Sequence, residues 1–104
     1  MRTTEGKPNS SQQRLLRVIP VLAGHELHGL GTMQIAKAVN CSPSQATRDL
    51  QNLALAGFAE KLEETGQWRL APKIVQIATA YAAAIERTER RVGEIKNRYT
   101  RTPN

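Results

Sequence analysis

The sequence predicts a mainly α fold with one small β-hairpin and a long helix at its C-terminal end. Three observations carry that reading. Two short helical segments flank a turn of about three residues, hairpin signals follow directly, and an apolar seam at heptad spacing runs from Ile74 to Tyr99.

Residues 1–10 (MRTTEGKPNS) are polar, contain Gly6 and Pro8, and read as a flexible arm. From Ser11 to Gly24, Leu15, Leu16, Ile19, Leu22 and Ala23 recur at helical spacing. Pro20 lies inside this helix. It has no N–H to donate and crowds the carbonyl of residue 16, so a kink or break is expected there. Gly24, Gly29 and Gly31 punctuate the loop that follows. Thr32 is expected to cap a short second helix with Met33, Ile35, Ala36 and Val39 on its inner face, ending near Asn40.

Ser42-Pro43-Ser44-Gln45 is the sharpest local signal in the chain. Ser42 suits an N-cap, Pro43 the first helical position, and Gln45 closes a capping box. This third helix is expected to run to about Ala56 and stop at Gly57. Phe58–Leu62 and Trp68–Leu70 read as two strands around a Thr-Gly turn within Glu63–Gln67, and Pro72 opens the last helix. A hairpin directly after the second helix of a helix-turn-helix is a wing. The expected organisation is therefore an arm at 1–10, a winged helix-turn-helix domain at 11–71, a heptad-patterned helix at 72–100 and a tail at 101–104.

A chain of 104 residues supports one modest core, which excludes a two-domain enzyme or a full dinucleotide-binding fold. Fifteen Lys and Arg against nine Asp and Glu give +6, a balance suited to polyanions. Aromatics are 4%, too few for readers that stack single-stranded bases. One cysteine, Cys41, excludes an internal disulfide and fits a reducing compartment. The N-terminus lacks an apolar signal region, and Val18–Ala23 and Ile77–Ile85 fall far short of the ~20 residues of a membrane span. A soluble cytoplasmic protein without membrane contact is expected.

At ~100° per residue, Ala46, Leu50 and Leu53 fall on one stripe of the third helix. Ser44, Arg48 and Gln51 lie opposite, flanked by Thr47 and Asn52. In a major groove Arg reads guanine and Gln or Asn reads adenine, each bidentately, although Arg48 is equally able to bind phosphate. The candidate double-stranded DNA-binding residues are Ser42, Ser44, Gln45, Thr47, Arg48, Gln51, Asn52 and, at the edge of the wing, Arg69. Arg14, Arg17 and Lys37 are further candidates for phosphate. The wing carries Glu60, Glu63 and Glu64 against Lys61 and Arg69, so it is expected to stay peripheral, with Trp68 in the core.

Ile74, Ala78, Tyr81, Ile85, Thr88, Val92, Ile95 and Tyr99 alternate in steps of four and three along the last helix. Its first part, 74–84, is apolar on neighbouring positions too and is expected to pack on the domain. The remainder is polar except at the seam, so Tyr81, Ile85, Thr88, Val92, Ile95 and Tyr99 are the candidate dimerisation residues, with a second copy the simplest partner. A parallel pair would set Arg91 against Lys96, and the orientation stays open.

Catalysis has no candidate set. His25-Glu26-Leu27-His28 lacks the spacing of a zinc-protease motif, Gly29-Leu30-Gly31 lacks the rest of a dinucleotide loop, and no nucleophile–base pair stands out. Neither a metal nor a cofactor is expected, and the chain reads as a non-enzyme.

The segment from Asn40 to Phe58 (NCSPSQATRDLQNLALAGF) resembles the N-terminal winged-helix domain of IclR-type transcription regulators. The matching positions are Cys41, Ser42, Arg48, Leu50, Leu53 and Gly57, followed by the wing ending Gly66-Gln67-Trp68-Arg69-Leu70. The resemblance covers roughly residues 12–90. It implies a sequence-specific, double-stranded-DNA-binding regulator, acting as a homodimer. Pro20 departs from the pattern. The effector domain usual in the family is missing from these residues, so no small-molecule ligand is expected. Two other functions remain open: a protein-interaction or assembly module, and a low-specificity DNA-binding component of replication or packaging machinery.

Overall fold

The computed structural model describes residues 8–102, so most of the arm lies outside it. Four helices and one hairpin follow in the order α1 (Ser10–Leu22), α2 (Thr32–Val39), α3 (Pro43–Leu55), β1 (Ala59–Lys61), β2 (Trp68–Leu70) and α4 (Pro72–Thr100). Contacts divide the chain into two units, Met1–Pro72 and Lys73–Asn104.

In the first unit, α1 starts earlier than the arm reading expected. Asn9 is its N-cap, and the Asn9 Oδ1 accepts a bond from the Gln12 amide at 3.0 Å. Pro20 does not break the helix, which continues to Leu22. The proline stands two residues from the end, so few helical bonds depend on it, and Val18 and Leu22, both fully buried, hold that turn on the core. The buried face centres on Val18, leaving Leu16 exposed.

The cap of α2 is Gly31, not Thr32, which is the first helical residue. The Gly31 carbonyl accepts from Ile35 N at 3.1 Å, and the Gly31 amide donates to Gln34 Oε1 at 2.9 Å. Ile35, Ala36 and Val39 face the core as expected, but Met33 is 70% exposed. On a helical wheel it stands more than a quarter-turn from the centre of those three. Asn40 ends the helix in the left-handed region at φ 60°.

The third helix forms as its sequence dictates. Ser42 Oγ accepts from Gln45 N at 3.1 Å, and Gln45 Oε1 accepts from Ser42 N at 3.1 Å, a closed capping box. At the other end Phe58 N donates to Leu53 O and Gly57 N to Ala54 O, with Gly57 at φ 87°, a Schellman stop. The predicted first strand is therefore shortened, because Phe58 belongs to this stop.

The strands pair antiparallel, with Glu60 opposite Arg69 and Lys61 opposite Trp68. Leu30 adds a further rung on the other side of β2: its N–H donates to Trp68 O and its carbonyl accepts from Trp68 N, both at 2.8 Å. This attaches the α1–α2 loop to the wing. Gly29 makes the approach possible. It sits at φ 74°, and a Cβ there would stand 2.6 Å from Trp68 O.

Val18, Leu22, Ile35, Val39, Leu50, Leu53, Ala59 and Trp68 form the core. Leu22, Ile35 and Leu50 are fully buried, each contributing roughly 2–3 kcal/mol by removal from water.

The second unit is α4. It spans 29 residues, and none is buried. Tyr81, Ile85, Val92, Ile95 and Tyr99 of the heptad seam are exposed. No helix among the described residues is long and apolar enough to cross a membrane.

Candidate nucleic-acid interface

The site is built on α3. Ala46, Leu50 and Leu53 are buried along one side, and Asp49 joins them at 4% exposure. Asp49 is absent from the sequence reading of that stripe. Its carboxylate accepts from Arg14 Nε at 2.7 Å and from Arg14 Nη2 at 3.0 Å, a bidentate pair that ties α3 to α1. The hydrogen bond to Asp49 is the main cause of a raised Arg14 pKa.

The opposite side of α3 is exposed along Ser44, Arg48, Gln51 and Leu55, with Thr47 half-buried beside them. The side chains of Ser44, Thr47, Arg48 and Gln51 make no hydrogen bond or ion pair with another described residue. Arg48 and Gln51 stand one turn apart on this face, so both are able to address one groove.

The other candidates are already engaged. Ser42 and Gln45 hold the capping box. Asn52 Nδ2 donates to Arg48 O at 2.9 Å, back onto its own helix. Arg69 Nε donates to Glu60 Oε2 at 2.7 Å, and its Nη1 to Glu26 O at 3.2 Å. Of the three further cations, Arg14 is the partner of Asp49, Arg17 Nη2 donates to Val39 O at 3.4 Å, and Lys37 is exposed. The structure thus groups Ser44, Thr47, Arg48 and Gln51 on one face of α3, while Arg69 lies on β2, bonded to Glu60 and to the α1–α2 loop.

The wing is internally braced. Lys61 Nζ stands 5.8 Å from the centre of the Trp68 ring, and Trp68 is buried, as expected. At its base the Gly24 amide donates to Glu26 Oε2 at 2.8 Å, which is the main cause holding the Glu26 carboxyl below its ordinary range. With Glu60 paired, Glu63 and Glu64 are exposed, and the wing presents little free positive charge.

Beside the start of α3, Met33, Gln34, Ala36, Lys37, Cys41 and Pro43 line an open, mainly apolar hollow of about 370 Å³. The Cys41 thiol donates to Ser42 O at 3.4 Å. No group of three His, Cys, Asp or Glu side chains among the described residues is placed to hold a metal.

No family profile and no curated protein matches the sequence. Solved structures do match. An IclR-family transcriptional regulator from Brucella abortus superposes at TM-score 0.61 with 17% identity, over 79% of this chain and 32% of the regulator. HmgR of Pseudomonas aeruginosa superposes at 0.60 with 23% identity, over 69% and 29%. The Zalpha domain of Cyprinid Herpesvirus 3 ORF112, solved for its binding mode to Z-DNA, superposes at 0.52 with 22% identity, over 61% and 98%. The chain thus spans about a third of the two bacterial proteins and nearly the whole of the viral domain. These likenesses establish the architecture: helix, helix-turn-helix and wing in this chain form the winged-helix fold.

Proposed function

We propose that the chain binds double-stranded DNA sequence-specifically as a transcription regulator, placing α3 in the major groove, and that it acts as a homodimer through α4. One observation carries the reading. The face of α3 opposite the core presents Arg48 and Gln51, free of partners within the described residues, on a helix locked at both ends and tied to α1 through Asp49. Bidentate side chains of these types on a fixed helix suit base edges. The positive net charge supplies attraction to phosphate. The similarity to a Z-DNA-binding domain and to an IclR-family regulator supports the coarser part of this reading, DNA binding.

The wing favours a second function. Its arginine is committed to Glu60, its exposed acids face away from any role on phosphate, and Leu55 is 87% exposed at the end of α3. A protein-binding module would use such a surface. A gel shift with genomic fragments against random duplex separates the two. Retention of specific fragments under excess random competitor is the outcome expected. Equal binding to all duplexes points to a low-specificity DNA component, and absence of binding to a protein partner.

A further inference from the structure

The seam of α4 needs a partner, and the residues along it choose the direction in which a second copy lies. This inference rests on the proposed dimer and goes beyond it by assigning orientation and register. The spacing places Ala78, Ile85, Val92 and Tyr99 at a positions and Ile74, Tyr81, Thr88 and Ile95 at d positions. Their side chains stand along one side of a single helix, and Tyr81 and Tyr99 are more than two-thirds exposed in the chain alone.

In a parallel, in-register pair each layer would join a residue to itself. Ala78 against Ala78 leaves a void, and Tyr81 against Tyr81 and Tyr99 against Tyr99 overfill, although Ile85 and Val92 alone would suit such a pair. The flanking positions add a penalty. Arg91 would stand beside the partner's Lys96, and by symmetry this like-charge contact occurs twice.

An antiparallel pair removes both problems in one register. With Ile85 opposite the partner's Thr88, Tyr81 meets the partner's Val92 and Ala78 the partner's Ile95, and Ile74 reaches the partner's Tyr99. Ala78 then faces Ile95, each tyrosine faces a smaller aliphatic side chain, and all eight seam positions are used. Thr88 is suited to a dry layer, because its Oγ1 already donates to Ala84 O at 3.0 Å. The flanking charges now lie against apolar neighbours: Arg91 over the partner's Ala84, Lys96 beside the partner's Val75. Long aliphatic stems cover such surface while their charged ends reach water. Sliding the pair one heptad towards the C-terminal end would set Arg91 against the partner's Arg91 and Glu89 against the partner's Glu89, and would leave Ile74 and Ala78 uncovered.

We infer that α4 pairs with a second copy of itself as an antiparallel two-helix coil in which Ile85 lies opposite the partner's Thr88. At 1.5 Å per residue, the starts of the two helices then stand roughly 40 Å apart.

Disulfide trapping in the full chain tests this. In a Cys41→Ser background, Ala78→Cys and Ile95→Cys are made separately, and light scattering establishes the state of each. The antiparallel register predicts that neither variant cross-links alone and that their mixture gives a rapid mixed dimer. Rapid self-cross-linking of Ala78→Cys, with no preference for the mixture, would overturn the orientation while leaving the dimer intact. A Cys41→Ser protein that is monomeric at high concentration would overturn the pairing itself. Spin labels at position 73 give an independent reading: a separation near 40 Å is expected, and one under 20 Å contradicts the register.

Discussion

The Asp49 carboxylate receives both arms of the Arg14 guanidinium across 35 positions of sequence, and this pair fixes the rotation of α3 against α1. Removing one partner leaves the other charge in a partly enclosed site without its bidentate bonds. Asp49→Ala is therefore expected to lower the melting temperature by about 5–10 °C, read by circular dichroism. An unchanged melt would mean that the pair does not brace the helix.

Gly29 lies under the backbone of Trp68, and Gly24 lies in the open, though both have positive φ. Alanine at position 24 meets only the backbone preference, roughly 1–2 kcal/mol. Alanine at 29 also collides with Trp68 O, so it is expected to cost clearly more and to speed hydrogen exchange at the Leu30 and Trp68 amides. Equal costs at the two positions would contradict the close approach of the loop to the wing.

Gly93 stands inside α4, and a Cβ placed there meets nothing within 4 Å. It falls at a b position, off the heptad seam. Gly93→Ala is expected to stabilise the helix by about 1 kcal/mol without changing the oligomeric state. Destabilisation, seen as a lower melting temperature, would show that this face is packed against something.

What was legible in the sequence was local. The capping box of Ser42 and Gln45 and the stop at Gly57 define α3 with adjacent residues, and its exposed face follows from helical period alone. The misses are contacts between distant residues. The Leu30–Trp68 rung depends on a glycine approaching a backbone nearly forty positions away, for which no local pattern exists. The role of Asp49 does have a signal in the sequence: it falls among Ala46, Leu50 and Leu53 on the buried side, and a carboxylate there requires a cation. Arg69 stands opposite Glu60 in the hairpin, whereas counting outward from Thr65-Gly66 sets it against Leu62, so the turn pattern alone does not give this pairing. The cap falls on Gly31 and not on Thr32 because a glycine with extended backbone caps α2 when Gln34 reaches back to its amide.

The central claim is that Arg48 and Gln51 read bases from one face of α3. Selection of bound sites from random duplex DNA, run with the parent, Arg48→Ala and Gln51→Ala at two salt concentrations, tests it most directly. Both side chains are exposed and without partners among the described residues, so neither change should disturb folding. Each variant is predicted to lose about 1–3 kcal/mol on the selected site and to relax preference at one position, with the salt slope unchanged. A uniform weakening with a slope lower by about one would reassign that residue to phosphate. If both variants select and bind every sequence as the parent does, this face does not read DNA, and the account is contradicted.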